Sequence, residues 1–358
     1  MSVVVKRPVR RRPTFHPLTV AGLDRLTEEA VAITFAVPPP LRELFAFRPG
    51  QHVTVRLGDD VRRSYSICSP PGDGRTLRIG VKEVPGGAFS GHAVRALKAG
   101  DTIDVLPPLG NFTTDFDPGR ARSYGAVVAG SGITPVLSLV AHGLAVEPAS
   151  TFTVVYGNRH ARTVMFAEEL ADLKDRYPAR LQVVHVLSRE PGEAPLLSGR
   201  IDADRMRRLL DTLLPPVDEW FLCGPYGMVT DVRAVLAERG AQRVHQELFF
   251  ADDAPPPAPA RPTTAQAGAE ATVLLDGRAT TVTVAPGERV LDAALRVRPE
   301  LPFACKGGVC STCRAKVTEG SVSMARNYAL EPDEVAAGYV LTCQSTADTD
   351  RLVVDFDA

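Results

Sequence analysis

Three cysteines fall within nine residues of the stretch CKGGVCSTCRAKV, at Cys305, Cys310 and Cys313, and a fourth follows at Cys343. Thiols so arranged could form disulfides, bind zinc, hold an iron–sulfur cluster or stay free. The string reads C-x4-C-x2-C-x29-C. Zinc sites built from cysteine more often take two separated C-x2-C pairs, and one such pair occurs here. C-x4-C-x2-C with a distant fourth cysteine is instead the plant-type spacing of a [2Fe–2S] cluster. The small residues Gly307, Gly308, Ser311 and Thr312 let backbone N–H groups turn toward the cluster sulfurs and tune the potential. Cys305, Cys310, Cys313 and Cys343 are therefore expected to be metal ligands. A cluster of this type moves single electrons, so something else in the chain must supply them.

The elements that must position such a site are set by a chain of 358 residues, long enough for two or three domains. The hydrophobic fraction of 44% and charged fraction of 23% belong to a globular protein, and a net charge of -1 offers no field for nucleic acid or an anionic membrane. The N-terminal stretch carries a basic run from Lys6 to Arg12 with no apolar segment of signal-peptide length behind it. A cytoplasmic location with reduced thiols is the expectation. The apolar stretch from Ser123 to Val146 has the length of a membrane span, but its interior Gly-Ser-Gly-Ile-Thr-Pro divides it into a strand, a turn and a helix.

Residues 14–117 read as short strands between turns, including AVAITFAV, QHVTVRL, SYSICS, TLRIGVKEV and DTIDVLPP, a pattern that predicts a small antiparallel barrel. Residues 118–250 alternate apolar strands such as YGAVVAG, TFTVVYG, LQVVHVL and EWFLCG with amphipathic helices, which predicts a parallel α/β sheet. A Pro/Ala-rich linker occupies 251–269. Residues 270–358 open with a hairpin and a helix before the cysteine loop.

Within this frame RRSYSICSPP resembles the R-x-Y-S signature of the ferredoxin-NADP reductase superfamily, on Arg63, Tyr65 and Ser66. The resemblance implies an arginine on the flavin diphosphate, a tyrosine against the flat ring and a serine near its reactive nitrogen. GVKEVPGGAFSGHAV is similar to the family's strand, glycine turn and helix start. It implies that Gly86, Gly87 and Ser90 meet a flavin phosphate at a helix N-terminus and that Val81 and Lys82 line the flavin. AGSGITPVLSL resembles the family's G-x-G-x-T-P on Gly130, Gly132, Thr134 and Pro135, with Thr134 capping the helix and Pro135 in its first turn. FLCGPYGMV resembles the C-G-P strand end near the nicotinamide, on Cys223, Gly224 and Pro225, and HQELFF the E-x-F end of the nucleotide domain, on Glu247 and Phe249. Ser66, Cys223 and Glu247 are the implied catalytic set. Cys68 matches none of these motifs and reads as core.

By this resemblance the protein is a multidomain oxidoreductase: an antiparallel β-barrel domain binding FAD, an α/β parallel-sheet domain binding NADPH or NADH, and a C-terminal α+β (β-grasp) ferredoxin domain. Arg159, Arg162, Ser188 and Arg189 favour NADPH, whose 2′-phosphate wants arginine. FAD rather than FMN follows from the resemblance alone. A two-electron hydride donor feeding a one-electron cluster forces the order nicotinamide, flavin, cluster, external acceptor. This domain order resembles reductase components of multicomponent oxygenases. The run NYALEPDEVAAGYVLTCQ closely resembles the reductase subunits of phenylacetyl-CoA epoxidases, which implies a separate di-iron oxygenase subunit as partner. Reductases of 3-ketosteroid hydroxylases, ring-hydroxylating dioxygenases or alkane hydroxylases share the modules. A reading of another class, a non-catalytic redox-sensing or zinc-binding module, predicts a colourless protein.

Overall fold

A computed structural model describes residues 14–58, 61–190, 194–249 and 268–358. The basic run Lys6–Arg12 and nearly all of the expected linker lie outside these residues. The chain divides into two compact units, one within Phe15–Pro255 and one within Pro256–Ala358.

The first unit begins with strands β1 (His16–Thr27), β2 (Ala30–Ala36), β3 (His52–Leu57), β4 (Val61–Ser66) and β5 (Thr76–Lys82), helix α1 (Ala88–Arg95) and strand β6 (Thr102–Val105). They form one antiparallel sheet in the order β4-β3-β6-β1-β2-β5. Its two edges meet just past β4, where Ile67 bridges Ile79 and the Cys68 N–H donates to the Arg78 carbonyl at 2.8 Å. The sheet is thereby closed into a barrel, which leaves few unpaired edges. Val31, Ile33, Phe35, Val53, Ile79 and Val81 fill its interior, and α1 covers it with Phe89 and Ala93.

The same unit continues with β7 (Ser123–Ala129), α2 (Ile133–Val146), β8 (Thr151–Asn158), α3 (Ala167–Arg176), β9 (Leu181–Leu187), α4 (Ala203–Thr212), β10 (Glu219–Cys223), α5 (Tyr226–Glu238) and β11 (Val244–Glu247). All five strands run parallel in the order β11-β10-β7-β8-β9. β7, β8 and β10 are apolar on both faces because helices cover both sides of such a sheet. The stretch from Ser123 to Val146 divides into β7, a 3₁₀ turn at Gly130–Gly132 and α2. Among the described residues no helix is long and apolar enough to cross a membrane.

The second unit contains β12 (Ala269–Leu275), β13 (Arg278–Val284), α6 (Val290–Leu295), β14 (Arg314–Glu319), β15 (Val322–Met324), α7 (Pro332–Ala336), β16 (Tyr339–Leu341), β17 (Ser345–Ala347) and β18 (Arg351–Asp355). Its main sheet runs β13-β12-β18-β14-β16, with β12 and β18 parallel and the other pairs antiparallel. This is the mixed sheet and packed helix of the α+β expectation. Ala271, Val273, Leu291, Ala315, Leu341 and Leu352 make its core.

Three local differences from the sequence reading have physical causes. β1 carries no clear strand signal, because HPLTVAGLDRLT buries only Leu18 and Val20 and its register shifts beside Gly22, so no clean alternation exists. α4 buries only Met206 and Leu209 in an Arg-rich sequence, and what starts it is Asp202, whose side chain accepts the Arg205 N–H at 2.8 Å. Thr134 does not cap α2. The 3₁₀ turn leads into the helix at Ile133, so Thr134 already lies inside the first turn and its hydroxyl donates to the Ser131 carbonyl at 2.9 Å.

Candidate redox centres

The first constellation forms where the barrel meets the carboxyl edge of the parallel sheet, the edge at which open α/β sheets receive ligands. His52 of β3 and Ser66 of β4 are cross-strand partners. The Ser66 hydroxyl donates to Glu247 Oε2 at 3.0 Å, and His52 Nδ1 lies 3.8 Å from Glu247 Oε1. Glu247 ends β11 and pairs in register with Cys223 at the end of β10. Burial pushes the Cys223 thiol far up, and the neighbouring Glu247 charge adds to it, so this thiol stays protonated. The nucleotide-motif turn is pressed against the same strand end: a Cβ on Gly132 would lie 2.1 Å from the Cys223 carbonyl oxygen. Only glycine fits there.

A cleft of about 1400 Å³ opens beside this constellation. Gly130, Gly132, Gly224 and Pro225 form one part of its wall, Arg159, Ser188 and Arg189 another, and Lys82 and Phe249 also line it. The Ser188 and Arg189 N–H groups donate to the Asn158 and Arg159 carbonyls at 2.8 and 2.9 Å, carrying the β8–β9 ladder past the strand ends. Two arginines are thereby set side by side. Burial lowers the Lys82 ammonium, Glu29 opposes that, and the charge of Arg159 adds to it. The wall is cationic and glycine-rich, as a phosphate-bearing ligand requires.

On the barrel, Tyr65 packs against Phe89 with ring centroids 5.3 Å apart, and Arg63 is exposed with its guanidinium on the Arg62 carbonyl at 2.7 Å. Gly86 adopts φ 73° and Gly87 is the N-cap of α1, whose first turn holds no acidic residue. The Ser90 hydroxyl closes this turn from inside, accepting the Val84 N–H at 3.1 Å and contacting the Gly87 carbonyl at 3.4 Å. An aromatic face and a neutral helix start with free amides together suit a flat ring carrying a phosphate.

In the second unit the four cysteines stand as two pairs. Cys305 stands beside Cys310, and Cys313 beside Cys343. Within the first pair the neighbouring Cys310 holds the Cys305 thiol below its ordinary value against the opposing effect of burial. The Gly307 N–H reaches Cys305 Sγ at 3.3 Å and the Cys305 N–H reaches Cys310 Sγ at 3.5 Å. Left-handed backbone at Lys306, Gly308 and Ser311 curls the loop so that amides face sulfur. Among the described residues no three His, Cys, Asp or Glu side chains are placed to hold one metal ion. Four thiols standing as two pairs suit two irons.

Family models match along the chain in the same order: an oxidoreductase FAD-binding domain at 17–114, an oxidoreductase NAD-binding domain at 127–234 and a 2Fe-2S iron-sulfur cluster binding domain at 273–348. The chain is 45% identical over 356 residues, 96% of its length and 98% of the other's, to a subunit of the 1,2-phenylacetyl-CoA epoxidase of Escherichia coli (strain K12). The chain belongs to the modular FAD, NAD and [2Fe–2S] oxidoreductase family. A second relative, the ferredoxin reductase component of 3-ketosteroid-9-alpha-monooxygenase from Rhodococcus rhodochrous, is 34% identical over 95% of this chain and 96% of its own. The fold is that of phthalate dioxygenase reductase, with a TM-score of 0.58 at 24% identity over 96% of this chain and 98% of that one.

In this modular oxidoreductase the sequence-expected residues largely converge. Ser66, Cys223 and Glu247 meet at one point, and of the expected nucleotide residues Gly130, Gly132, Arg159, Ser188, Arg189, Gly224 and Pro225 line one cleft. Others are placed differently. The Val81 side chain is wholly inside the barrel core, so only its backbone can face a ligand. Thr134 is buried, its methyl against β5, where a Cβ on Gly80 would lie 2.6 Å from it. Pro135 is buried within α2 and Arg162 does not line the cleft. Sequence reasoning missed His52, which is buried and whose Nε2 has no hydrogen-bond partner. It also missed Arg200, which lines the cleft. Neither belongs to a spaced motif, and only the fold brings them to the site.

Proposed function

We propose that this oxidoreductase is the cytoplasmic reductase component of a phenylacetyl-CoA epoxidase, drawing on NADPH and passing electrons through FAD and a [2Fe–2S] cluster to a separate di-iron oxygenase subunit. The electron-transfer reading rests above all on the meeting of Ser66, Cys223 and Glu247 beside the cleft, with Ser66 and Glu247 3.0 Å apart. The partner rests on the 45% identity with the epoxidase subunit across 96% of this chain.

Together the bound groups would turn a two-electron hydride donor into a source of single electrons. The residues have the following parts in this reading. Arg63 pairs with the flavin diphosphate, Tyr65 lies against the ring, and the turn at Gly86 and Gly87 aims the first amides of α1, from Ala88 on, at phosphate. Ser66 holds its proton between Glu247 and the ring. Cys223 remains a neutral, buried thiol beside the hydride path, where its bulk orients the nicotinamide and excludes water. Arg159, Ser188 and Arg189, joined by Arg200, take the 2′-phosphate of NADPH. Cys305 and Cys310 hold one iron, and Cys313 and Cys343 the other.

Reconstitution tests the whole: the purified chain, a phenylacetyl-CoA epoxidase di-iron subunit, phenylacetyl-CoA and NADPH, with epoxide and NADP measured together. Coupled formation of both is expected. Cluster reduction by NADPH without epoxide, while another oxygenase is driven, overturns the partner and leaves the reductase. A colourless protein lacking flavin and iron overturns both and returns the cysteines to zinc or to free thiols.

A further inference from the structure

Gln344 follows the last cysteine of the string and is 7% exposed. Its side-chain Nε2 lies 2.8 Å from the Lys306 carbonyl oxygen, 3.1 Å from the Cys343 carbonyl oxygen and 3.7 Å from Cys343 Sγ. Lys306 is the residue after Cys305. One carboxamide therefore reaches from the second cysteine pair across to the loop that carries the first. Its backbone is fixed as well, because the Gln344 carbonyl accepts from Arg289 Nη1 at 2.7 Å and from the Ala325 N–H at 2.9 Å. Its stem packs on the cluster loop, where a Cβ on Gly308, at φ 82°, would lie 3.1 Å from Gln344 Cγ.

We propose that Gln344 sets the reduction potential of the cluster, an inference that rests on reading Cys343 as a cluster ligand. A carboxamide nitrogen has two N–H groups. The nearer acceptor, the Lys306 carbonyl, takes one, and the other is shared between the carbonyl and the sulfur of Cys343. A ligand sulfur carries negative charge, and that charge grows when the cluster gains an electron. A donor aimed at it strengthens on reduction and so favours the reduced state. The amides of the loop act on the sulfurs of the first pair in the same way. Gln344 is a side chain doing this for the second pair, and it does so while holding the spacing between the pairs.

The test uses the full chain with its cofactors. Gln344→Met keeps length and removes both donors, and Gln344→Glu keeps shape, removes them and adds charge. Iron and sulfide content, then a spectroelectrochemical titration read by the paramagnetic signal of the reduced cluster, give the potential of each protein. Gln344→Met is expected to shift the reduction equilibrium toward the oxidised state by up to about tenfold, which is about 59 mV for one electron. Gln344→Glu shifts it further the same way, and the flavin potential moves in neither. An unchanged cluster potential in a fully loaded Gln344→Met protein overturns the proposal. If only Gln344→Glu keeps its cluster, a potential at or above that of the unaltered chain does the same. Loss of iron from both variants assigns Gln344 to assembly and overturns its tuning role. Absence of iron and sulfide from the unaltered chain removes the cluster reading itself.

Discussion

Arg189 and Arg159 stand side by side because a ladder hydrogen bond of 2.9 Å continues between them after their strands have ended. A phosphate placed on such a pair makes charge-assisted bonds, each contributing about 1.5–3 kcal/mol. Arg189→Ala is expected to raise the KM for NADPH roughly tenfold or more by that magnitude and to leave the KM for NADH nearly unchanged. Equal movement of both constants in steady-state assays removes the 2′-phosphate assignment. Glu247→Gln keeps the shape of the side chain and takes away the carboxylate that accepts from Ser66 at 3.0 Å. Turnover with ferricyanide is expected to fall by roughly 10²-fold while the KM for the nicotinamide moves little. A change confined to KM would show that Glu247 only shapes the pocket. At this scale the sequence is legible where chemistry imposes a spacing. Four cysteines in the C-x4-C-x2-C-x29-C spacing, or a glycine at 132 where an added Cβ would lie 2.1 Å from the Cys223 carbonyl oxygen, leave a pattern in the chain. His52 and Gln344 leave none. A histidine in a strand and a glutamine beside a cysteine acquire meaning from residues far away in sequence, Glu247 for one and Lys306 for the other.

Between elements, β5 and α2 form a close joint between the barrel and the helices of the parallel sheet. Gly80 on the strand faces the Thr134 methyl on the helix, and the Ser138 hydroxyl of the same helix donates to the Ser69 carbonyl at 2.7 Å. Gly80→Ala is expected to destabilise the unit by roughly 1–3 kcal/mol through overpacking. Adding Thr134→Ser, which deletes the opposing methyl and keeps the hydroxyl, is expected to restore part of the loss. Thermal melts of the single and double variants check this, and additive losses would show that the two residues do not meet. At the opposite, amino-terminal edge of the parallel sheet, Glu219 of β10 is buried beside His245 at 2.9 Å and Arg122. Burial would raise its pKa, but hydrogen bonds from His245 and Thr114 and the charges of His245 and Arg122 win, and it falls from 4.5 to about 2. A carboxyl lowered on folding adds stability that is complete above its unfolded pKa and lost as pH falls through its folded one. The chain is therefore expected to lose on the order of 2 kcal/mol between about pH 5 and 2 through this group. Glu219→Gln should be less stable at pH 7 and should show a smaller loss across that window in denaturant titrations. The parallel strands were legible as apolar runs since two covered faces ask for nothing else. Helix limits were not: a 3₁₀ turn built on Gly130 and Gly132 moves the start of α2, and with it turns Thr134 from an expected cap into packing.

Across the molecule the chemistry is divided between two units, with hydride exchange in one and single-electron exit in the other. Cys310→Ser should therefore leave reduction of the flavin by NADPH intact and abolish electron delivery to cytochrome c. Undiminished cytochrome c reduction would mean that the flavin reaches acceptors without the cluster. The order of the second unit's sheet carries a further consequence, for synthesis. β18 lies between β12 and β14, and its register pairs Glu270 with Arg351, about eighty residues downstream. A ribosome making about 5–20 residues per second needs several seconds to cover that distance. During that interval the β12–β13 hairpin waits with one flank open, and a lone hairpin is barely stable in water. All four thiols leave the ribosome before the strand that braces their sheet. The nascent ferredoxin unit thus passes through a stage in which its cysteines are made while the central strand of their sheet is still missing.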